Sequence, residues 1–214
     1  MNPTFLSRRA AVLAALAASL VATAPAAAPQ PLSAEDKALV AQATDYLQNL
    51  SEAKGRFVQT DPRGGISEGE LYLKRPGRAR FAYDPPSSLL VVSDGRTVFV
   101  VDPRLKTSNH YPLKYTPLSL FLARQIRLDR GVAITGVTHF VNGFGLTARD
   151  AHNETKGQIT LTFATAPFRL SDWTMTDARG QTTRVRLTNL EPTSGLSDAL
   201  FTPRDGETTA GPQP

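Results

Sequence analysis

The chain of 214 residues contains no cysteine. A disulfide framework and a thiolate nucleophile are therefore excluded. So is the N-terminal acylation that bacterial lipoproteins receive on a cysteine. Histidine is scarce: His110, His139 and His152 are the only three, and none stands at metal-ligand spacing from another ligand type. No phosphate loop or dinucleotide fingerprint occurs. The G-x-G of "VNGFGLTARD" belongs with a hairpin signal. Asp61, Asp84, Asp94, Asp102 and Asp177 stand where turns are expected, the ordinary use of aspartate. This inventory points away from an enzyme and implies no catalytic residue, no cofactor and no metal.

No apolar run is long enough to span a bilayer comfortably. The run at 10–22 follows Arg8 and Arg9 and precedes a small-residue stretch, which is the three-part pattern of an export signal. The expected signal peptide covers residues 1–28, with cleavage near Ala26/Ala27, because a proline at the first mature position hinders processing. A retained anchor is the competing reading. "SRRAAV" leaves the general secretory and twin-arginine routes both open. Removing 1–28 takes away two arginines and no acid, so the formal charge falls from +5 to 22 − 19 = +3. A charge of that size favours solubility and implies no polyanionic partner, nucleic acid included. The expected product is a soluble, monomeric periplasmic protein, with one domain over 29–206 and a disordered tail, "ETTAGPQP", at 207–214.

Past the leader one amphipathic helix stands out. Ser33 suits an N-cap, and Glu35 and Asp36 suit the first turn. Leu39, Ala43, Tyr46, Leu47 and Leu50 recur at three- and four-residue spacing, giving one apolar face. Gly55 is expected to end or follow this helix. The rest reads as short strands at 56–60, 67–74, 78–83, 89–93, 97–102 and 106–112, then 132–141, 144–149, 157–164, 168–176 and 181–190. Asp94-Gly95 and Asn142-Gly143 are hairpin signals, and Asp177-Ala178-Arg179-Gly180 is a longer turn. About eleven strands in succession predict a mainly β fold, an antiparallel meander closed or nearly closed. Two apolar interruptions, at 116–126 and 194–201, are short helical candidates.

"KRPGRARFAYDPP", 74–86, mixes basic and aromatic residues. Nucleic-acid binding would need both kinds on one exposed face. Strand alternation separates them instead: Arg78 and Arg80 share the side of Ala82, while Ala79, Phe81 and Tyr83 share the other. The expected reading is a solvated basic face behind a buried aromatic one, repeated at Arg184 and Arg186. Arg75 differs, because it continues the apolar row of Leu71 and Leu73. Either it snorkels out at the sheet rim or it places donors across the mouth of the sheet. Helices over a curved sheet enclose an apolar cavity suited to lipid. Alternation and the helical face nominate Leu71, Leu73, Phe81, Phe99, Val101, Leu118, Phe121, Leu161 and Phe163 as its walls. A slip of one residue would invert any strand's share.

The order of "GRFVQT", "GELYLKRPGRARFAYDPP", "LLVVSDGRTVFVVDP", "YPLKYTPLSLFLAR", "ITLTFATAPFRLSDWTMTDARGQTTRVRL" and the closing Leu200-Phe201 with Pro203 resembles the LolA family of periplasmic lipoprotein carriers. The resemblance runs from about Leu32 to Phe201. It implies an incomplete antiparallel β-barrel under a helical α lid, with an inner face that binds lipoprotein acyl chains. It implies loading by an inner-membrane LolCDE-type ABC transporter and delivery to an outer-membrane LolB-type acceptor where one exists. It also implies that Arg75, within "KRP", is the latch that bonds the lid, through carbonyls near 117–123. The chain departs from the family at Ala79, where a bulkier residue is common, and in its tail, which lacks a final apolar segment. LolB-type proteins need an acylated cysteine, and RseB-type sensors need a second domain. A carrier of another amphiphile such as a glycolipid is the first alternative, and an envelope esterase the second.

Overall fold

The structure, a computed structural model, describes residues 31–116, 118–126, 132–151 and 157–203. The expected signal peptide (1–28), His152 and the expected tail (207–214) lie outside the described residues.

Helix α1 (Ala34–Asn49) begins where the sequence places its cap: the Ser33 hydroxyl accepts the Asp36 N–H at 3.0 Å. It ends earlier than expected. Leu50 caps it by donating its N–H to the carbonyls of Tyr46 and Leu47, and Gly55 lies inside the following strand. Glycine is needed there because a Cβ would fall within contact distance of the Asn189 carbonyl on the neighbouring strand.

Eleven strands follow. They are β1 (Glu52–Thr60), β2 (Ile66–Lys74), β3 (Arg78–Tyr83), β4 (Leu90–Asp94), β5 (Thr97–Asp102) and β6 (Thr107–Pro112), then β7 (Val132–Phe140), β8 (Gly143–Asp150), β9 (Gln158–Thr165), β10 (Phe168–Thr176) and β11 (Thr182–Pro192). All pair antiparallel in one sheet of order β6-β5-β4-β3-β2-β1-β11-β10-β9-β8-β7. Two meanders are thus joined where the first strand meets the last. The sheet stays open between β6 and β7, and the chain crosses that gap through a 3-10 turn (Leu113–Tyr115) and helix α2 (Leu118–Leu122).

One apolar cluster draws side chains from both meanders together with α1 and α2. The sheet therefore wraps around the two helices as an incomplete barrel. Each fully buried Phe or Leu contributes about 1.5–3 kcal/mol relative to exposure. This shared core, rather than the intrinsic stability of a five-residue helix, holds α2 in place.

The basic stripe is not simply solvated. Leu90, Val92 and Val101 form a second cluster with Ala82 and Phe99, and the C-terminal segment is tied down beside it. Lys74 reaches the Leu196 carbonyl at 2.6 Å and the Asp198 carboxylate at 2.8 Å. Arg78 pairs with Asp198 at 3.0 Å, and Arg80 donates to the Leu200 carbonyl at 3.3 Å. The expected helix at 194–201 is a single 3-10 turn (Asp198–Phe201) lying against β3 and β4, with Phe201 buried. The solvated-face reading missed this clasp because its occupant lies about 120 residues further along the chain, beyond the reach of strand alternation.

Phe201→Ala should lower unfolding stability by about 3 kcal/mol, measured in urea. Asp198→Ala should cost much less, since its ion pairs are exposed to solvent. The hydrogen bond from Lys74 holds the Asp198 carboxyl below its usual range. A carboxyl depressed on folding stabilises above its ordinary value of 3.8 and loses that contribution as pH falls. Amide exchange at 196–201 should accordingly rise in acid before exchange in β1 and β11 does.

Candidate functional site: the covered inner face

The turn between β2 and β3 is where the helices are fastened. The Arg75 N–H donates to the Ser51 carbonyl at 2.8 Å, and the side chain turns inward. Its Nη1 donates to the carbonyl of Leu47 in the last turn of α1, where the helix dipole favours a cation. Its guanidinium lies 5.3 Å from the centroid of the Phe121 ring on α2. Burial pushes its pKa down to about 10, so the group is still cationic at neutral pH. Its Nε and Nη2 are buried and hydrogen-bond to none of the described residues.

The carbonyl expected to receive Arg75 lay in α2, and here the structure corrects the expectation. Arg75 bonds α1, while the α2 carbonyl of Leu122 is taken by the Gly77 backbone N–H at 2.8 Å. Gly77 has φ +77, and a Cβ on it would stand 2.6 Å from the Cα of Gly95. A side chain at this position would be strained and would also push the two turns apart. Ser93, itself buried, fixes the same turn by donating its hydroxyl to the Gly77 carbonyl at 2.6 Å. From α1, Gln48 grips the segment after α2 with both ends of its amide. It donates to the Arg124 carbonyl at 3.2 Å and accepts from the Ile126 N–H at 2.9 Å. A groove of about 440 Å³ runs beside this junction, with Gly77, Leu113 and Leu122 among its walls and Arg96, Lys114 and Arg124 at its edge.

Aromatic rings line the interior. Phe57, Phe81, Trp173 and Phe121 follow one another at centroid separations of 5.5, 6.0 and 5.7 Å. In the second meander Phe144, Phe163 and Phe168 cluster at mutual centroid separations of 5.3, 5.6 and 6.2 Å, and Tyr46 of α1 meets both Phe163 and Phe168 edge-on. Tyr83 sits at one end, its hydroxyl bonded to Gln59 at 2.7 Å and its pKa pushed up to about 12 by burial.

Among the nominated wall residues, Leu71, Leu73, Phe81, Phe121, Leu161 and Phe163 belong to the inner cluster, and Leu118 packs against it half-buried. Phe99 and Val101 do not. They lie on the other face with Leu90 and Val92, and it is Val98 and Val100 of β5 that face inward. β5 is apolar on both faces, so alternation alone cannot orient it. The pairing of Val92 with Phe99 and of Leu90 with Val101 does. The inner residues not nominated include Phe57, Phe144, Phe168 and Trp173. Alternation in β1 and β8 carried a signal for Phe57 and Phe144. For Trp173 it did not, because an irregularity between Leu170 and Asp172 puts residues three apart on one face.

His110 and His139 stand apart from this interior. His139 pairs with Asp36 at 2.8 Å on an exposed contact between β7 and α1. His110 Nε2 lies 2.9 Å from the Ser108 hydroxyl, and no ion pair joins that ring to a carboxylate among the described residues.

The model of the family described as outer membrane lipoprotein carrier protein LolA matches residues 48–204. An outer-membrane lipoprotein carrier protein of Bordetella pertussis is 29% identical over 212 residues, covering 94% of this chain and 96% of that one. Its counterpart in Chromohalobacter salexigens is 26% identical over 197 residues, 90% of each chain. A solved LolA superfamily protein from Nitrosomonas europaea overlays with a TM-score of 0.44 at 9% identity, covering 76% of this chain and 96% of that one. With the match running from the last turn of α1 to the end of the C-terminal clasp, the chain belongs to the LolA family of outer membrane lipoprotein carrier proteins.

Proposed function

We propose that this protein is a periplasmic carrier that takes lipoprotein acyl chains between its inner face and its two helices, moving them from the inner to the outer membrane. One observation carries the reading. The larger of the two apolar clusters lies between the sheet and its cover, α1 and a five-residue α2, and among the described residues few polar bonds fasten α2 to the sheet. A cover of that kind is separable from the sheet without breaking the ladder of strands.

The energetics of cargo demand such a device. A triacylated anchor of roughly 40 methylenes, at about 0.8 kcal/mol each, does not cross water unshielded. A carrier without fuel must also let go. Closure that competes with cargo achieves both, because the sheet prefers its own helices once the chains can leave. Arg75 is the residue on which the competition turns, since it binds the end of α1 and touches Phe121 of α2. Loading would come from an inner-membrane ABC transporter of the LolCDE type and unloading onto a LolB-type acceptor. The carrier acts as a monomer and performs no chemistry on its cargo.

A hydrogen bond to a charged group contributes about 1.5–3 kcal/mol, so closure through Arg75 lowers cargo affinity by about 10–100-fold. Arg75→Leu should fold, accept cargo, bind a fluorescent apolar probe more tightly and pass lipoprotein on poorly. Transfer from purified carrier to acceptor or to vesicles measures this. Normal transfer together with unchanged probe affinity would reduce Arg75 to a rim arginine.

A further inference from the structure

At the apolar inner cluster, two side chains carry buried N–H groups that lack partners among the described residues. Trp173 is buried, and its Nε1–H bonds to none of the described residues. Arg75 Nε and Nη2 share that condition. The two side chains flank the same ring: the Arg75 guanidinium is 5.3 Å and the Trp173 ring 5.7 Å from the centroid of Phe121. Three donor nitrogens, on two side chains that pack against Phe121, thus lack an acceptor among the described residues. Buried donors are paired in the great majority of cases, and an unpaired one is costly. Packing alone does not require them, since phenylalanine at 173 would fill much of the same space without an N–H.

We infer that Trp173 and Arg75 form an acceptor-binding subsite within the lipid site, and that its ligand is the carbonyl oxygen joining an acyl chain to its head group by an ester or amide bond. The inference rests on the carrier reading and adds to it a preference for acylated molecules over plain hydrocarbon. Phe121 packs against both side chains in the closed state, so movement of α2 uncovers them to whatever replaces it. A neutral carbonyl suits the surroundings. It offers lone pairs to the donors and enters the shell of Phe81 and Phe121 without the desolvation cost of an anion. Subsites of this kind discriminate well, because a ligand lacking the acceptor leaves buried donors unpaired.

The test compares dipalmitoylglycerol with dihexadecylglycerol, which keeps the chain length and the glycerol hydroxyl but replaces both ester carbonyls by ether methylenes. Displacement of an apolar probe reports the affinity of each. The wild type should prefer the diester by about three- to tenfold. Trp173→Phe should reduce that preference severalfold, read as the ratio of diester to diether affinity within the variant. The wild type gives a second readout that needs no variant, since Trp173 is the one tryptophan of the chain. Its emission should move further to longer wavelength with the diester than with the diether, because a carbonyl oxygen is a stronger acceptor for the indole N–H than an ether oxygen. Equal binding of the two lipids, or identical emission with both, would overturn the subsite while leaving the carrier reading standing. Failure of both lipids to displace the probe would overturn the two together.

Discussion

The fold is organised around one requirement: a single sheet that curls without closing leaves an apolar inner face, and that face must be kept from water. Pairing of β1 with β11 joins the two meanders, so the hydrophobic interior is shared between halves of the chain that are distant in sequence. The opening lies between β6 and β7, and the segment that crosses it is also the segment that helps to fill the interior. The α2 part of the cover is therefore also the connection. Displacing α2 therefore leaves the sheet intact, since α2 belongs to no strand pair.

What fastens the cover is concentrated at one turn. Arg75, Gly77 and Ser93 meet there, and each serves a different neighbour. Arg75 bonds α1, Gly77 bonds α2, and Ser93 bonds the turn itself. A buried guanidinium is an expensive fastening, because desolvation opposes its charge and two of its nitrogens find no acceptor among the described residues. On the outer face the arrangement is different. Lys74, Arg78 and Arg80 hold the C-terminal turn through exposed ion pairs and carbonyl bonds, while Phe201 supplies the apolar burial.

The eleven strands were legible because turn residues punctuate them and because most alternate cleanly. The N-cap of α1 was legible from Ser33 and its two following acids. Arg75 stood out because it continued the apolar row of Leu71 and Leu73, though its bonded partner, a carbonyl of α1, could not be read from spacing. Three features were illegible for physical reasons. β5 is apolar on both faces, so alternation cannot tell that Phe99 and Val101 face away from the interior. The irregularity before Asp172 hid Trp173 from alternation. The basic stripe gave no hint of the C-terminal segment it binds, since that contact depends on tertiary folding alone.

The central claim is that acyl chains and α2 compete for the same inner face. It is tested most directly at the Gly77 amide, whose hydrogen bond to the Leu122 carbonyl exists only while α2 is seated. Hydrogen–deuterium exchange should be followed at Gly77 and at β1 in the empty and lipoprotein-loaded protein. Competition predicts that loading accelerates exchange at Gly77 and leaves β1 as protected as before. Protection at Gly77 that is unchanged or higher in the loaded protein would contradict it, because cargo would then be bound with α2 still in place.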